Sequence, residues 1–104
     1  AAKNGVDPQL MYQILDNSAA KSGMLNAKIP SILKRDFHTN FSVKWMYKDV
    51  GLALASAEAV DLPLPLTAIT QQMLLAAVAK GYGEDDFCAT IRVLEDLAQI
   101  EVKA

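Results

Sequence analysis

Between Phe41 and Thr67 the chain reads FSVKWMYKDVGLALASAEAVDLPLPLT. Apolar residues recur at nearly every angle around a helix of period 3.6, so a helix of this kind has to be buried on most sides. One lysine–aspartate pair, Lys48-Asp49, interrupts the apolar run near its middle. A charged pair in such surroundings demands a polar partner or a ligand. The segment therefore commits the chain to a helical fold and marks where its chemistry concentrates.

The flanking sequence agrees with an all-α reading. Asp7-Pro8 is a helix start: the aspartate can accept from free N–H groups, and proline fits the first helical position. Leu10, Met11, Ile14 and Leu15 then form an amphipathic stripe ending near Asn17. Ser22-Gly23 breaks the pattern. Met24, Leu25, Ile29, Ile32 and Leu33 predict one or two short helical pieces, with Pro30 opening the second. Lys34 to Asn40 is polar and reads as a loop, with Thr39, Asn40 or Ser42 available to cap the next helix.

The long helix is predicted from about Ser42 to Val60. Val43, Met46, Tyr47, Val50, Leu54 and Ala57 lie on its core face. Gly51 in its interior costs roughly 1 kcal/mol against alanine, which points to close approach of another backbone. Leu62-Pro63-Leu64-Pro65 forces an extended turn, because each residue before proline avoids the α region.

A further helix is predicted over Leu66 to Lys80, stopped by Gly81-Tyr82-Gly83. Glu84-Asp85-Asp86 opens a last helix, where acidic side chains suit the positive end of the dipole. Phe87, Ile91, Leu94, Leu97 and Ala98 form its predicted buried stripe. No segment alternates with a period of two long enough to build a sheet. Ala1 to Gly5 has a cation in its last turn and glycine in a C-terminal capping position, so it reads as the end of a helix that begins earlier.

Composition narrows the function classes. At 104 residues the chain is sized for one domain, and its 52% apolar content is somewhat above the usual ~45–50%. The excess predicts apolar surface reserved for another domain or subunit. A net charge of −2 with ten scattered basic residues is no footprint for nucleic acid or an anionic membrane. No uninterrupted run of about 18 apolar residues occurs, which predicts no membrane span. The first residues lack a charged segment followed by an apolar stretch, so no export signal is expected. The lone Cys88 has no partner for a disulfide, which fits a reducing cytoplasm, and with the lone His38 it cannot make a standard zinc site. His38 is expected to be exposed and inert, Cys88 a small buried hydrophobe, and Trp45 a packing or interface residue.

Three motifs carry a resemblance. Phe41-x6-Lys48-Asp49-Val50-x-Leu52-Ala53-Leu54, Leu62-Pro63-Leu64-Pro65-Leu66-Thr67-Ala68 and Gly81-Tyr82-Gly83-x-Asp85-Asp86-Phe87 occur in that order. Together they resemble the β-hydroxyacid dehydrogenases, a family that includes 3-hydroxyisobutyrate dehydrogenase, tartronate semialdehyde reductase and the glyoxylate/succinic semialdehyde reductases. The resemblance implies an all-α C-terminal domain of about five to six helices over residues 1–104. Its companion would be an N-terminal Rossmann domain that binds NAD or NADP and is absent from this chain.

The resemblance also implies roles. Phe41 and Asp49 would be substrate-proximal, and Lys48 would reach the cofactor. The catalytic lysine would lie upstream, so no catalytic residue and no metal ligand is expected here, and the chain alone is expected to be inactive. If helix geometry extends back to Phe41, then Phe41, Trp45, Lys48-Asp49 and Leu52 share one face turned toward the nucleotide domain. Implied partners are that Rossmann domain, a small carboxylate or semialdehyde substrate and further copies in a homodimer or homotetramer, with no nucleic acid or membrane, in the cytoplasm. The alternative is a non-catalytic helical scaffold or oligomerisation module on the same fold.

Overall fold

The computed structural model describes residues 1–104, which fold into five α-helices and three short turns of 3-10 or π type. The helices are α1 (Pro8–Asp16), α2 (Gly23–Leu33), α3 (Val43–Glu58), α4 (Pro65–Ala77) and α5 (Ile91–Ala98). There is no strand; one isolated antiparallel bridge joins Ser42 and Asp86. No helix is long and apolar enough to cross a membrane. The chain divides into two compact units, residues 1–37 with 94–104, and residues 38–93.

In the first unit each helix begins where a side chain can accept its free N–H groups. Asp7 accepts from the Gln9 amide at 2.9 Å, with Pro8 at the first helical position, and Asn17 ends α1 as its sequence suggests. Ser22 accepts from the Leu25 amide at 3.0 Å to start α2. Of the one or two pieces expected, the structure has one, and Pro30 lies inside α2 instead of opening a second helix. Proline deprives the ladder of one N–H, but α2 runs only three residues beyond Pro30, and the Lys34 amide still reaches the Pro30 carbonyl at 3.2 Å.

Beyond α2, Arg35 takes a left-handed conformation (φ 58) and its guanidinium donates to Glu95 at 2.5 Å. The same carboxylate accepts from the Val102 amide at 2.7 Å, and the Ala104 amide reaches the Leu33 carbonyl at 3.0 Å. Gly5 is left-handed (φ 80) at the end of the turn Ala2–Asn4, the conformation glycine adopts without steric cost.

In the second unit α3 and α4 pack along each other. Val43, Ala57, Leu74, Ala77, Cys88, Ala89 and Val93 form the core. Most are small, which lets backbones approach and leaves large apolar side chains outside. Leu62-Pro63-Leu64-Pro65 forms the expected extended turn, with Leu64 at φ −126 and Pro65 first in α4. Gly51 is explained differently from the expectation. A Cβ there would meet the side-chain amide of Gln71 at 2.9 Å, so the close neighbour is a side chain of α4 and not its backbone.

Two further expectations are revised. α3 buries only Val43 and Ala57, while Trp45 and Leu52 are more than half exposed, so these 104 residues do not themselves cover its apolar outer face. Glu84 and Asp85 precede the tight turn Phe87–Thr90 that leads into α5, and of the three acidic residues only Asp86 caps that turn, accepting from the Cys88 amide at 3.1 Å. Cys88 is buried as expected. The predicted stripe on α5 is displaced: Val93 is buried, whereas Leu94 and Leu97 are 54% and 75% exposed. A tight turn, Phe87–Thr90, precedes α5 and shifts which residues face inward, because three residues per turn replace 3.6.

Candidate functional site

The first turn of α3 is joined to residues 83–87 by a short ladder of backbone bonds. The Val43 amide donates to the Asp85 carbonyl at 2.9 Å, and the Lys44 amide to the Gly83 carbonyl at 3.0 Å. The Phe87 amide donates to the Phe41 carbonyl at 2.8 Å. The Trp45 amide reaches the Ser42 hydroxyl at 3.4 Å, and the Met46 amide closes the first helical bond to the Ser42 carbonyl at 3.0 Å. The N–H groups of Val43, Lys44 and Trp45, which a helix normally leaves unpaired at its start, are thus all used. The motifs Phe41-x6-Lys48-Asp49 and Gly81-Tyr82-Gly83-x-Asp85-Asp86-Phe87, forty residues apart in sequence, form one structure.

Side chains reinforce the seam. Asp86 is 2% exposed, and its Oδ2 accepts from the amides of Asn40 at 3.1 Å and Phe41 at 3.2 Å. Lys44 pairs with Glu84, and the Thr39 hydroxyl donates to the Glu84 carbonyl. Arg92 lies 3.4 Å from Asp85 and covers the Tyr82 ring at 3.8 Å.

Outside this seam stand the residues singled out by sequence. Lys48 Nζ lies 2.8 Å from Asp49 Oδ1, and the two side chains are 51% and 48% exposed. The ammonium also sits over the Trp45 ring at 5.1 Å. Trp45, Lys48, Asp49 and Leu52 fall at i, i+3, i+4 and i+7 and are all exposed, so they share one open face of α3. Phe41 is exposed too, but it does not belong to the helix: α3 begins at Val43 with Ser42 as its cap. Helical periodicity therefore does not place the Phe41 ring on that face; the bonds to Asp86 and Phe87 set its backbone instead.

Sequence reasoning missed the role of Asp86. A signal exists, an acidic residue two before a buried cysteine at a helix start, but the pairing with Asn40 and Phe41 is a tertiary contact. His38 is exposed, as its polar loop suggests.

For binding an anionic dinucleotide, the α3 N-terminus has no amide to spare, because the carbonyls of Gly83 and Asp85 and the hydroxyl of Ser42 take its first three donors. The group that suits such a ligand is the Lys48 side chain, a half-exposed cation beside an aromatic ring. No group of three or more histidine, cysteine or acidic residues is arranged to hold a metal ion. An open groove of about 650 Å³ lies along Leu54, Ala57, Glu58, Leu62, Leu64 and Ala68, and none of Phe41, Lys48 and Asp49 lines it. Lys48, Asp49 and Trp45 lie on an exposed face of α3.

Comparison with known proteins agrees with this architecture. The family model described as NAD-binding of NADP-dependent 3-hydroxyisobutyrate dehydrogenase matches residues 1–94. L-threonate dehydrogenase from Cupriavidus necator is 36% identical over 91 residues, covering 88% of this chain and 31% of that protein. 2-Hydroxy-3-oxopropionate reductase from Escherichia coli K12 is 36% identical over 98 residues, covering 94% of this chain and 34% of that protein. The crystal structure of 3-hydroxyisobutyrate dehydrogenase from Salmonella typhimurium superposes with a TM-score of 0.86 at 30% identity, covering 89% of this chain and 33% of that one. The chain thus spans about one third of the length of the relatives it matches. With the match running from Ala1 into α5, the chain belongs to the NAD-binding helical domain family of the 3-hydroxyisobutyrate dehydrogenases.

Proposed function

We propose that residues 1–104 act as the C-terminal helical domain of an NAD(P)-dependent oxidoreductase that interconverts a small 3-hydroxy acid and its semialdehyde by hydride transfer. In this reading an N-terminal Rossmann domain of the same protein binds most of the dinucleotide, and the open face of α3 completes the cleft. The observation that carries it is the exposed set Trp45, Lys48, Asp49 and Leu52, an apolar face with one ion pair on a helix whose start is rigidly held.

Each residue has work suited to its chemistry. Lys48 offers a cation to the anionic parts of cofactor or substrate, and Asp49, at 2.8 Å, orients it. Phe41 borders the substrate and excludes water. The hydride chemistry is the nicotinamide's when it is bound; this chain supplies orientation and charge. The proton would be handled by a lysine of the upstream segment. Exposed Val60, Leu62, Leu66 and Ile69 suit a homodimer or homotetramer interface, and buried Cys88, in no disulfide, suits a reducing cytoplasm.

The test is kinetic. In the polypeptide that includes the nucleotide domain, Lys48→Ala should lower kcat/KM by about ten- to a hundredfold, the range for a lost charge-assisted contact. Asp49→Asn should lower it less, with thermal midpoints unchanged in both. Wild-type kinetics in both variants would reject the site assignment. A 104-residue chain that oxidised NAD(P)H with a semialdehyde unaided would reject the two-domain reading.

A further inference from the structure

Asp86 is nearly inaccessible, yet it belongs to neither the apolar core nor the open face of α3. Its two oxygens do different jobs. Oδ1 accepts from the Cys88 amide at 3.1 Å and so starts the turn that leads into α5. Oδ2 accepts from two successive amides, Asn40 at 3.1 Å and Phe41 at 3.2 Å. A helix cap needs only the first of these. The second holds the residues just ahead of α3, and the flanking bonds from Val43 to Asp85 and from Phe87 to Phe41 fix the same stretch from either side.

Phe41 lies outside α3, so no helical bond fixes its backbone, and its ring is exposed. Were Oδ2 absent, the Asn40 and Phe41 amides would lose this acceptor, leaving the single Phe87-to-Phe41 bond on that residue's backbone.

We propose that Asp86 is a positioning residue for substrate: through Oδ2 it sets the backbone of Phe41, and so the place of the ring that borders a small hydroxy acid. The inference rests on the reading of Phe41 as substrate-proximal given under Proposed function. It assigns Asp86 no contact with substrate or cofactor. A neutral residue with one acceptor can cap the turn, but only a carboxylate can cap it and hold the two amides ahead of α3 at once.

Two substitutions separate these jobs. Asp86→Ser keeps one oxygen for the Cys88 amide and removes the other. Asp86→Asn keeps the volume but turns an N–H₂ group toward either the cap or the amides of Asn40 and Phe41. Both are made in the polypeptide with its nucleotide domain, beside Phe41→Ala and the double variant Phe41→Ala with Asp86→Ser. Rates are read as NAD(P)H absorbance with 3-hydroxyisobutyrate and L-threonate as probes.

The expected result is a rise of about tenfold in KM for the hydroxy acid in Asp86→Ser, with KM for the dinucleotide changed less than about twofold, since sub-ångström misplacement is costly at a reacting centre. In the Phe41→Ala background the further change should add less than about twofold, because the ring through which Asp86 acts is gone. The proposal falls if Phe41→Ala raises KM while Asp86→Ser and Asp86→Asn alter only the thermal midpoint, or if the two effects multiply in the double variant. If Phe41→Ala itself leaves KM unchanged, the reading of Phe41 fails and this proposal fails with it. Should Asp86→Ser not fold, Asp86→Asn carries the same comparison.

Discussion

Two ion pairs in this chain have similar geometry and opposite circumstances. Arg35 meets Glu95 at 2.5 Å with side chains 25% and 7% exposed, and Lys48 meets Asp49 at 2.8 Å with both side chains about half exposed. The first is enmeshed: Glu95 also accepts from the Val102 amide, and Arg35 reaches the Val102 carbonyl at 3.3 Å and stacks over Phe37 at 4.9 Å. The second joins neighbours in sequence and touches only the Trp45 ring besides. Distance alone does not separate a structural pair from an available one. Burial and the number of further partners do.

The largest expected effect tests the enmeshed pair. Glu95→Gln should cost about 3 kcal/mol of stability, because it leaves a partly buried guanidinium with only the exposed Glu101 carboxylate, at 3.9 Å, as countercharge. Denaturant titration of the 104-residue chain measures it. The joint change Arg35→Met with Glu95→Leu should restore most of that loss, since no charge then remains to desolvate. A loss below about 0.5 kcal/mol for Glu95→Gln would erase the distinction between the two pairs.

Lys48→Ala should change stability by less than about 0.5 kcal/mol in the same titration, as exposed pairs usually do. A cost comparable with that of Glu95→Gln would show Lys48 to be structural and would count against its proposed role.

The smallest effect concerns a third pair, at the surface. Asp16 accepts from the Asn26 side-chain amide at 2.9 Å and faces Lys21 at 3.2 Å. The Asn26 hydrogen bond first, and then Lys21, holds its carboxyl below the usual 3.8. A folded value below the unfolded one means that ionised Asp16 favours the folded chain. That contribution is complete above about pH 5, where the unfolded carboxyl is also ionised, and it is lost as pH falls through the depressed folded value. Asn26→Ala should therefore leave stability at pH 2 nearly unaltered while slightly lowering it at pH 6. Equal losses at both values would break the linkage.

Legibility in the sequence tracks the range of the interactions. Helix starts at Asp7-Pro8 and Ser42 are readable, because a cap and its amides lie within three residues. The turn at Pro63 and Pro65 is readable for the same reason. The continuity of α2 through Pro30 is not, since proline usually opens or ends a helix and here interrupts only its last turn. Periodicity puts Phe41 on the face of Trp45 and Lys48 only if the helix extends back to it, and with the pairing of Asn40–Lys44 to Gly83–Phe87 α3 starts at Val43 instead. Spacing puts Leu94 and Leu97 inside, and the tight turn at Phe87–Thr90 rotates them out. In each miss a contact far apart in sequence, or a change of helical pitch, overrides a local pattern. Of the candidate site residues, Lys48 and Asp49 are flagged as two charges in an apolar run and Phe41 only by the motif resemblance, while Asp86 is visible only as an acidic residue at a helix start.

Trp45 is the only tryptophan in the chain. Its indole is half in solvent with an ammonium above it, on the face of α3 that holds Lys48 and Asp49. The protein thus carries an intrinsic optical probe at the surface where, in the function proposed above, a nucleotide domain would dock. A shift of its emission to shorter wavelength, with loss of quenching by iodide, would register that closure in real time and without a label.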